Sequence, residues 1–401
     1  MSFHFIRSSY RSSIFQLAKN SSTPSKHLTK PYQRTFHTQI KPRNQLPKWI
    51  GLSTIILSIG LISYTVFPTS IHEGGFPKEI KKNLRFALLA EKNGELIQSK
   101  KFFKYAYELG RLEGIELMKL SGIGIRWGSM LESFDEIQEA KEVYLLVFKD
   151  LEDRISNENG NGIEGYLKMR MVSVAQKLAQ ISNDKKLIEK YLTWSVEELL
   201  KLSLPGIGSN RSRENEKIVL GEIELPEWVK GIELGSCLES LGDFYAQNGE
   251  PEYSLTLYLQ ALSILLPPKP RKKEPTVLER CHASILMNNI SQLHLQRKPK
   301  MISQSKEWLK KALELIPIDD DDDEVNLNQE ERFECLKNRM VIEENLGSLE
   351  EMMGDLVKAK ERFLVGKELA KELKVGSWID RTDENLKRIE LKQIGQKDIK
   401  T

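Results

Sequence analysis

The sequence predicts an all-α protein built from a series of similar helical hairpins. The clearest hairpin occupies residues 238–268, LESLGDFYAQNGEPEYSLTLYLQALSILLPP, where the turn sequence NGEP separates two stretches of helical periodicity. Gly242, Ser254 and Ala261 are small residues at the predicted contact between the two helices. They leave room for the Tyr258 ring while the helices pack closely. Because one hairpin cannot bury its apolar face alone, further copies are expected along the chain.

The chain contains further copies of this hairpin, identified by the offset of twelve residues between Gly242 and Ser254. In each copy a large residue precedes the first small one, and in one copy Leu187 replaces the second small residue. A helical bundle without repeats would also give some matches, but the common offset favours repeats of the tetratricopeptide type, with their period of about 34 residues. The four further pairs are Ala87 and Ser99, Gly128 and Ala140, Ala175 and Leu187, and Gly347 and Ala359.

Residues 1–48 have the composition of a mitochondrial presequence. Basic and apolar residues alternate in FHFIRSSYRSSIFQLAK, serines are frequent, and the first acid of the chain is Glu73. The sequence RTF that ends at Phe36 resembles a matrix processing site, which predicts cleavage after that residue. A disordered basic tail is the alternative, whereas a secretory signal is disfavoured because the apolar run begins only at Trp49.

Residues 49–67, WIGLSTIILSIGLISYTVF, contain no charged residue and are predicted to form a transmembrane helix. As a helix they extend about 28 Å, which is close to the ~30 Å hydrocarbon core of a bilayer. Basic residues precede the stretch and none directly follows it, so the N-terminus is predicted in the matrix and the body across the membrane. Residues 68–76 then form a hinge. A buried core helix is the alternative to a transmembrane helix.

Six helix pairs are predicted after the hinge, and a polar helix at residues 378–394 is expected to cap the stack. We therefore predict a tetratricopeptide-like solenoid over residues 77–375, followed by a C-terminal capping helix and tail at residues 376–401. The first helix of the fifth pair has no clear register. The pairs are predicted at residues 77–112, 116–155, 163–203, 227–267, 275–317 and 330–375.

The net charge of +3 is unevenly distributed, because residues 1–72 contain nine Lys and Arg but no acid, which leaves −6 on the remainder. A mildly acidic body argues against a nucleic-acid partner. Cys237, Cys281 and Cys335 lie 44 and 54 residues apart, a spacing typical of neither a zinc site nor a disulfide framework. We expect all three cysteines to be buried thiols.

No sequence pattern indicates catalysis, a cofactor or a metal ion, so the chain is not predicted to be an enzyme. It contains no HExxH motif and no nucleophile elbow. Gly122, Gly124 and Gly128 form a GxGxxxG pattern, but within a helical stretch, where close packing of helices explains it. The run DDDDDE at residues 319–324 lacks the alternating ligands and turn glycine of a calcium loop.

A helical-repeat protein binds partners mainly through the surface formed by the first helices of its hairpins. Groove positions are expected two residues before and two residues after the large residue of each first helix. Those of the N-terminal half are mostly apolar and would suit unfolded segments, although they could equally pack between neighbouring hairpins. The Lys, Asn and Arg of a clamp for a terminal carboxylate are missing there. The candidates are Leu84, Leu88, Ile125, Ser129, Val172, Gln176, Glu239 and Asp243, followed by Glu344 and Ser348.

The order of presequence, single span and helical body resembles the fungal mitochondrial inner-membrane adaptor of the i-AAA protease. Two stretches carry the resemblance, FPKEIKKNLRFALLAEKNGELIQSKKFFKYAYELGRLEG and SGIGIRWGSMLE, and it covers nearly the whole chain. The resemblance implies an N-terminus in the matrix and a tetratricopeptide-like body in the intermembrane space. It identifies no binding residue that can be transferred to a position of this chain.

The resemblance also implies a function and partners. Together with a second adaptor membrane protein, this family binds the ATP-dependent metalloprotease and helps to deliver unfolded or misfolded proteins for degradation. The alternative is an inner-membrane scaffold for assembly of a respiratory complex, which would share the anchor, the repeats and the compartment. An outer-membrane import receptor resembles the chain in its repeats only.

Overall fold

The computed structural model describes thirteen α-helices and no strand within the described residues. The predicted presequence, the span at residues 49–67 and the run at residues 319–324 lie outside the described part of the chain. Within that part, no helix has both the length and the apolar character needed to span a bilayer. The described residues are 75–157, 164–203, 225, 229–269, 274–296, 301–317 and 328–398.

The helices fall into two compact units. Unit 1 contains α1 (Lys78–Lys92), α2 (Leu96–Leu112), α3 (Leu117–Ser133), α4 (Ile137–Asn157), α5 (Glu164–Ile181) and α6 (Lys185–Ser203). Unit 2 contains α7 (Gly231–Gln247), α8 (Pro251–Leu265), α9 (Val277–Gln296), α10 (Ile302–Leu315), α11 (Gln329–Met352), α12 (Leu356–Glu372) and α13 (Gly376–Asp398).

Each odd-numbered helix up to α11 packs against the helix that follows it, as predicted for six hairpins. Within a unit, consecutive hairpins also contact one another, so the hairpins form a stack. The last helix, α13, packs on α12 and covers the residues that were predicted to form a capping helix. The all-α class and the positions of the helix pairs are therefore confirmed for the described residues.

Aromatic rings packed on small residues fix the register of the hairpins. A Cβ added to the small residue of three first helices would lie within 3 Å of an aromatic ring sixteen residues later. These positions therefore require glycine, because a larger side chain would push the two helices apart. The pairs are Gly128 with Tyr144, Gly242 with Tyr258 and Gly347 with Phe363, at 2.6, 2.6 and 2.8 Å.

The hairpin turns use a glycine where the backbone becomes left-handed. Gly249 has φ of 80° directly after α7, a conformation that glycine adopts without a steric penalty. The backbone N–H of Glu250 then donates to the Tyr245 carbonyl at the helix end. Pro251 occupies the first position of α8, where its fixed φ suits a helix start.

The structure also supplies the register of the fifth hairpin, which the sequence leaves open. The Ser291 and Ser305 hydroxyls hydrogen-bond at 2.6 Å inside the contact between α9 and α10. Ser291 is therefore the first small residue of this hairpin and Ile290 the large residue before it. The offset to Ser305 is fourteen residues instead of twelve, which explains why the pattern is missed. Asn288 then occupies the position two residues before the large one.

A disulfide between Cys281 and Cys335 joins α9 to α11, with the two Cα atoms 5.4 Å apart. This corrects the prediction of three thiols, of which only Cys237 remains a buried thiol. The spacing of 54 residues gives no signal, because the pairing depends on two first helices that lie side by side. In the same contact, the Asn338 amide donates to the Cys281 carbonyl at 3.1 Å.

Candidate protein-binding surface

The position two residues before the large residue is buried in both units. In unit 1, Leu84, Ile125 and Val172 are 0, 7 and 3% exposed. The physical reason is that first helices pack side by side and this position points into their contact. Leu84 and Ile125 belong to the apolar core of unit 1. Burial therefore argues against direct contact between these three side chains and a substrate.

The equivalent position in unit 2 is equally buried but polar. Glu239, Asn288 and Glu344 are 1, 5 and 2% exposed. These side chains also lie between first helices rather than on an open surface. The positions that were expected to line the groove, two residues before the large residue, are therefore packing positions in both units.

The position two residues after the large residue is more accessible. Leu88 is half-buried, Ser129 is exposed and Asp243 is half-buried, whereas Gln176 is buried. Ser348 in α11 is also half-buried. The accessible candidates therefore differ in chemistry and do not form the continuous apolar stripe that the sequence suggests for the N-terminal half.

Ion pairs join neighbouring first helices in unit 1. The Arg126 guanidinium of α3 donates to Glu91 of α1 at 2.5 Å. One hairpin further on, the Lys177 ammonium of α5 lies 2.8 Å from the Glu132 carboxylate of α3. Glu132 also accepts from the Tyr144 hydroxyl, so one carboxylate connects three helices. These pairs fix the lateral spacing of the hairpins.

In unit 2 the buried Glu239 of α7 makes the equivalent contact with α9. Its Oε2 lies 2.9 Å from Nε2 of His282, and its Oε1 accepts from the Asn289 amide at 3.1 Å. Burial and the nearby Glu239 carboxylate raise the pKa of Asp243, one turn further along α7. Asp243 accepts from the Tyr258 hydroxyl. The acids at these two candidate positions therefore serve contacts within the unit.

Two glutamates of α11 bind the capping helix α13. Glu344 is paired with Arg381 at 2.6 Å, and burial raises its pKa despite the neighbouring arginine. Glu351 accepts from Arg388 and Lys392, and the hydrogen bond from Arg388 lowers its pKa to about 2. Both carboxylates pair with basic side chains of the same unit, so they do not present a free acidic surface to a partner.

The described residues contain no group of three or more His, Cys, Asp or Glu side chains that could hold a metal ion. Their polar groups mostly pair across helix contacts, and their exposed surface offers side chains of mixed character. Such a surface can bind another protein through several weak contacts. A feature that the sequence reasoning missed is the combination of bases and exposed aromatic rings on α1 and α2. This combination is visible in the sequence, because KEIKKNLRF and KKFFKYAY contain basic and aromatic residues close together.

Comparison with known proteins gives similarity at the level of overall structure alone. No protein-family model matches the chain, and no curated protein matches it. BtubC from P. vanneervenii is 11% identical, with a TM-score of 0.44 over 77% of this chain and 93% of that one.

Two tetratricopeptide proteins are also similar in structure. One is a signal transduction ATPase with numerous domains and a tetratricopeptide repeat sensor, from Pyrococcus horikoshii. It is 12% identical, with a TM-score of 0.43 over 86% of this chain and 46% of that one. The other, from Parabacteroides merdae, is 12% identical, with a TM-score of 0.39 over 78% and 93%. At such low similarity, the tetratricopeptide-like character of the chain rests on the hairpin contacts described above.

Proposed function

We propose that this chain is a non-catalytic protein-binding adaptor, anchored in the mitochondrial inner membrane with its helical body in the intermembrane space. The observation that carries the proposal is the stacking of hairpins in tetratricopeptide register within each unit, since stacks of this kind serve as binding surfaces for other proteins. The pattern of presequence and span, and the resemblance to the i-AAA protease adaptor family, supply the compartment and the partner.

The disulfide between Cys281 and Cys335 supports a body outside a reducing compartment. Disulfides persist in oxidising environments and are rare in proteins of the cytosol and nucleus, where thiols are kept reduced. A body exposed to the intermembrane space fits this requirement, provided that a thiol–disulfide oxidant acts there during folding. The disulfide therefore favours the proposed topology over a body in a reducing compartment.

The partners in this proposal are the i-AAA protease, a second adaptor membrane protein, and unfolded or misfolded proteins as substrates. The buried apolar candidates leave Leu88 and Ser129 as the accessible positions of unit 1, together with the half-buried Ser348 in unit 2. A surface of this mixed character would bind weakly and release readily, because little apolar area can be buried on it. Weak binding suits transfer to a protease.

Affinity purification of the full chain from a mild-detergent mitochondrial extract tests the partner. Recovery of the protease is the expected result. Recovery of a respiratory complex without the protease would overturn the adaptor and favour the alternative, an assembly scaffold that shares the anchor and the compartment.

Substrate capture tests the surface. We expect the purified full chain in detergent to bind an unfolded model protein in preference to its native form. Changing Leu88→Glu together with Ser129→Glu should weaken capture. The matched control changes Leu259→Glu and Ser303→Glu, which are exposed on α8 and α10 and do not lie on first helices. Equal loss in both variants, or no preference for the unfolded form, would contradict this surface.

A further inference from the structure

The first hairpin, α1 and α2, carries exposed bases and exposed apolar side chains on one edge. Phe86 and Leu89 of α1 are 43 and 55% exposed, and Tyr105 of α2 is 54% exposed. Lys82, Arg85 and Lys101 are exposed beside them. We name these six residues the first-hairpin edge.

Helical spacing places these residues on one continuous surface. On α1, the members of the edge are three or four residues apart, so they share the side turned away from the core residues Leu84 and Ala87. On α2, Lys101 and Tyr105 are likewise one turn apart. The rings of Phe86 and Phe102 lie 5.3 Å apart and join the two helices along this edge.

The charge of this hairpin is opposite to that of the body. Residues 78–112 contain nine Lys and Arg against four Asp and Glu, a net charge of +5 within a body of −6. Glu79 lies 3.7 Å from the Lys82 ammonium and offsets part of the charge on the edge. The hairpin nevertheless presents a basic surface that would attract an anionic partner.

At the other end of the repeat series, the exposed surface of α13 is mostly charged but also includes Leu391 and Ile394, which are 69 and 57% exposed. Every exposed residue of α13 between positions 380 and 390 is charged. A polar outer face is what the terminal repeat of a stack needs to remain soluble. The first hairpin exposes aromatic rings as well as aliphatic side chains among its bases, and a clustered apolar surface of this kind marks a contact with another molecule or a membrane.

We propose that the first-hairpin edge docks on the anionic lipid surface of the membrane, an inference that rests on the proposed membrane anchor. The predicted span ends at Phe67, and α1 begins only eleven residues later, at Lys78. Even a fully extended connection therefore keeps the start of α1 within roughly 40 Å of the bilayer. Lysine and arginine bind lipid phosphates, while Phe86 and Tyr105 suit the interface between headgroups and hydrocarbon.

This docking would orient unit 1 on the membrane and leave its other surfaces accessible to protein partners. The interaction combines electrostatic attraction to anionic headgroups with burial of a few apolar side chains, and each component alone gives only weak binding. It therefore depends on the anionic lipid content and weakens at high salt, because exposed charges are screened.

The test uses the full chain in phosphatidylcholine vesicles prepared with or without cardiolipin. Hydroxyl-radical labelling, read by mass spectrometry, reports the exposure of Phe86, Leu89 and Tyr105. We expect labelling of these residues to fall several-fold in the cardiolipin vesicles and to recover at high salt. Met352 and Leu364 are exposed in unit 2 and provide the internal reference, whose labelling should not change.

Charge reversal provides the matched comparison. Lys82→Glu with Arg85→Glu should restore labelling of the edge in cardiolipin vesicles. Lys371→Glu with Lys387→Glu reverses two exposed charges in unit 2 and should leave the protection intact. Equal labelling in both kinds of vesicle would overturn the proposal. Protection that already exists in detergent without lipid would also overturn it, and would assign the edge to a second copy of the chain.

A separate readout distinguishes failure of this inference from failure of the anchor. Extraction of the vesicles at alkaline pH leaves a membrane-spanning protein in the lipid fraction and removes a peripheral one. A chain that resists extraction but shows no lipid-dependent protection keeps the anchor and loses the docking. A chain that is extracted but shows cardiolipin-dependent protection keeps the docking and loses the anchor.

Discussion

Leu84 in unit 1 and Glu239 in unit 2 occupy the same position of the hairpin register, and both are buried. Leu84 packs in an apolar core, whereas Glu239 lies against His282 and accepts a hydrogen bond from Asn289 of the next first helix. The register therefore determines that this position is buried, but it does not determine how the neighbouring hairpin is held. Unit 1 combines an extensive apolar core with ion pairs, and unit 2 adds buried polar contacts and a disulfide.

The difference has consequences for how each unit responds to its surroundings. An apolar contact is insensitive to pH and to redox conditions. A contact that depends on a buried carboxylate or a disulfide responds to one or both of them. We therefore expect changes in pH and redox conditions to affect unit 2 more than unit 1, and the following predictions test this contrast on the full chain in detergent.

The largest effect is expected for Leu84→Glu. The substitution places a carboxylate in the core of unit 1 with no partner, at a cost of roughly 3–5 kcal/mol of stability. Amide hydrogen exchange of α1 and α3 should rise accordingly. Leu89→Glu, on the exposed side of the same helix, is the control and should change exchange little. Equal effects of the two changes would mean that Leu84 is not buried.

Removal of the disulfide should have the next largest effect. Cys335→Ser opens the cross-link between α9 and α11 and should lower the stability of unit 2 by about 2–4 kcal/mol. The same loss should follow from reduction of the unchanged chain. Cys237→Ser is the control for replacing a buried sulfur, because Cys237 is not part of the disulfide.

Hydrogen exchange should locate the effect of Cys335→Ser in α9 and α11. Faster exchange in unit 1 on reduction would contradict the contrast between the units. A chain whose Cys281 and Cys335 are both alkylated without prior reduction would contradict the pairing itself.

Gly242→Leu tests the hairpin register in unit 2. An added side chain would collide with the Tyr258 ring, which lies 2.6 Å from the position of a Cβ. Overpacking of this kind costs roughly 1–3 kcal/mol, so the melting temperature should fall. Gly376→Ala is the control, because nothing lies within 4 Å of its added Cβ. An unchanged melting temperature for Gly242→Leu would show that the register is wrong.

The smallest effect is expected for acidification at α13. The Glu351 carboxylate has its pKa lowered to about 2 by Arg388, compared with about 4.5 in the absence of partners. Its contribution to stability is complete above the higher value and is lost as the pH falls toward the lower one. Glu351→Gln should therefore destabilise the contact of α13 at neutral pH and make it less dependent on pH below 5. Hydrogen exchange of α13 measures both.

The sequence was sufficient for the local features of this fold. The pairing of Gly242 with Tyr258 follows from packing within one hairpin, so a fixed offset along the chain reveals it. The register of the fifth hairpin was not found from the sequence, because the offset between Ser291 and Ser305 is two residues longer than in the other hairpins. Helix periodicity still predicted the second helix of that pair.

The features that the sequence did not predict all depend on contacts between hairpins. The disulfide joins Cys281 and Cys335 across two first helices, and no local pattern encodes their proximity. Likewise, Ile125 has the register of a groove residue, but its neighbour on the next helix decides whether it is accessible. The acids Glu239 and Glu344 similarly have partners on neighbouring helices, α9 and α13 respectively. Lateral packing therefore has to be known before the binding surface can be assigned.

The coupling free energy between Glu239 and His282 tests most directly whether buried polar pairs join the hairpins of unit 2. It is obtained from the stabilities of the unchanged chain, Glu239→Leu, His282→Leu and the double variant. Each single change leaves the other buried polar group without this contact, so we expect the double variant to lose less stability than the sum of the two single losses. Additive losses would contradict the account, because they would mean that the two side chains do not stabilise unit 2 as a pair.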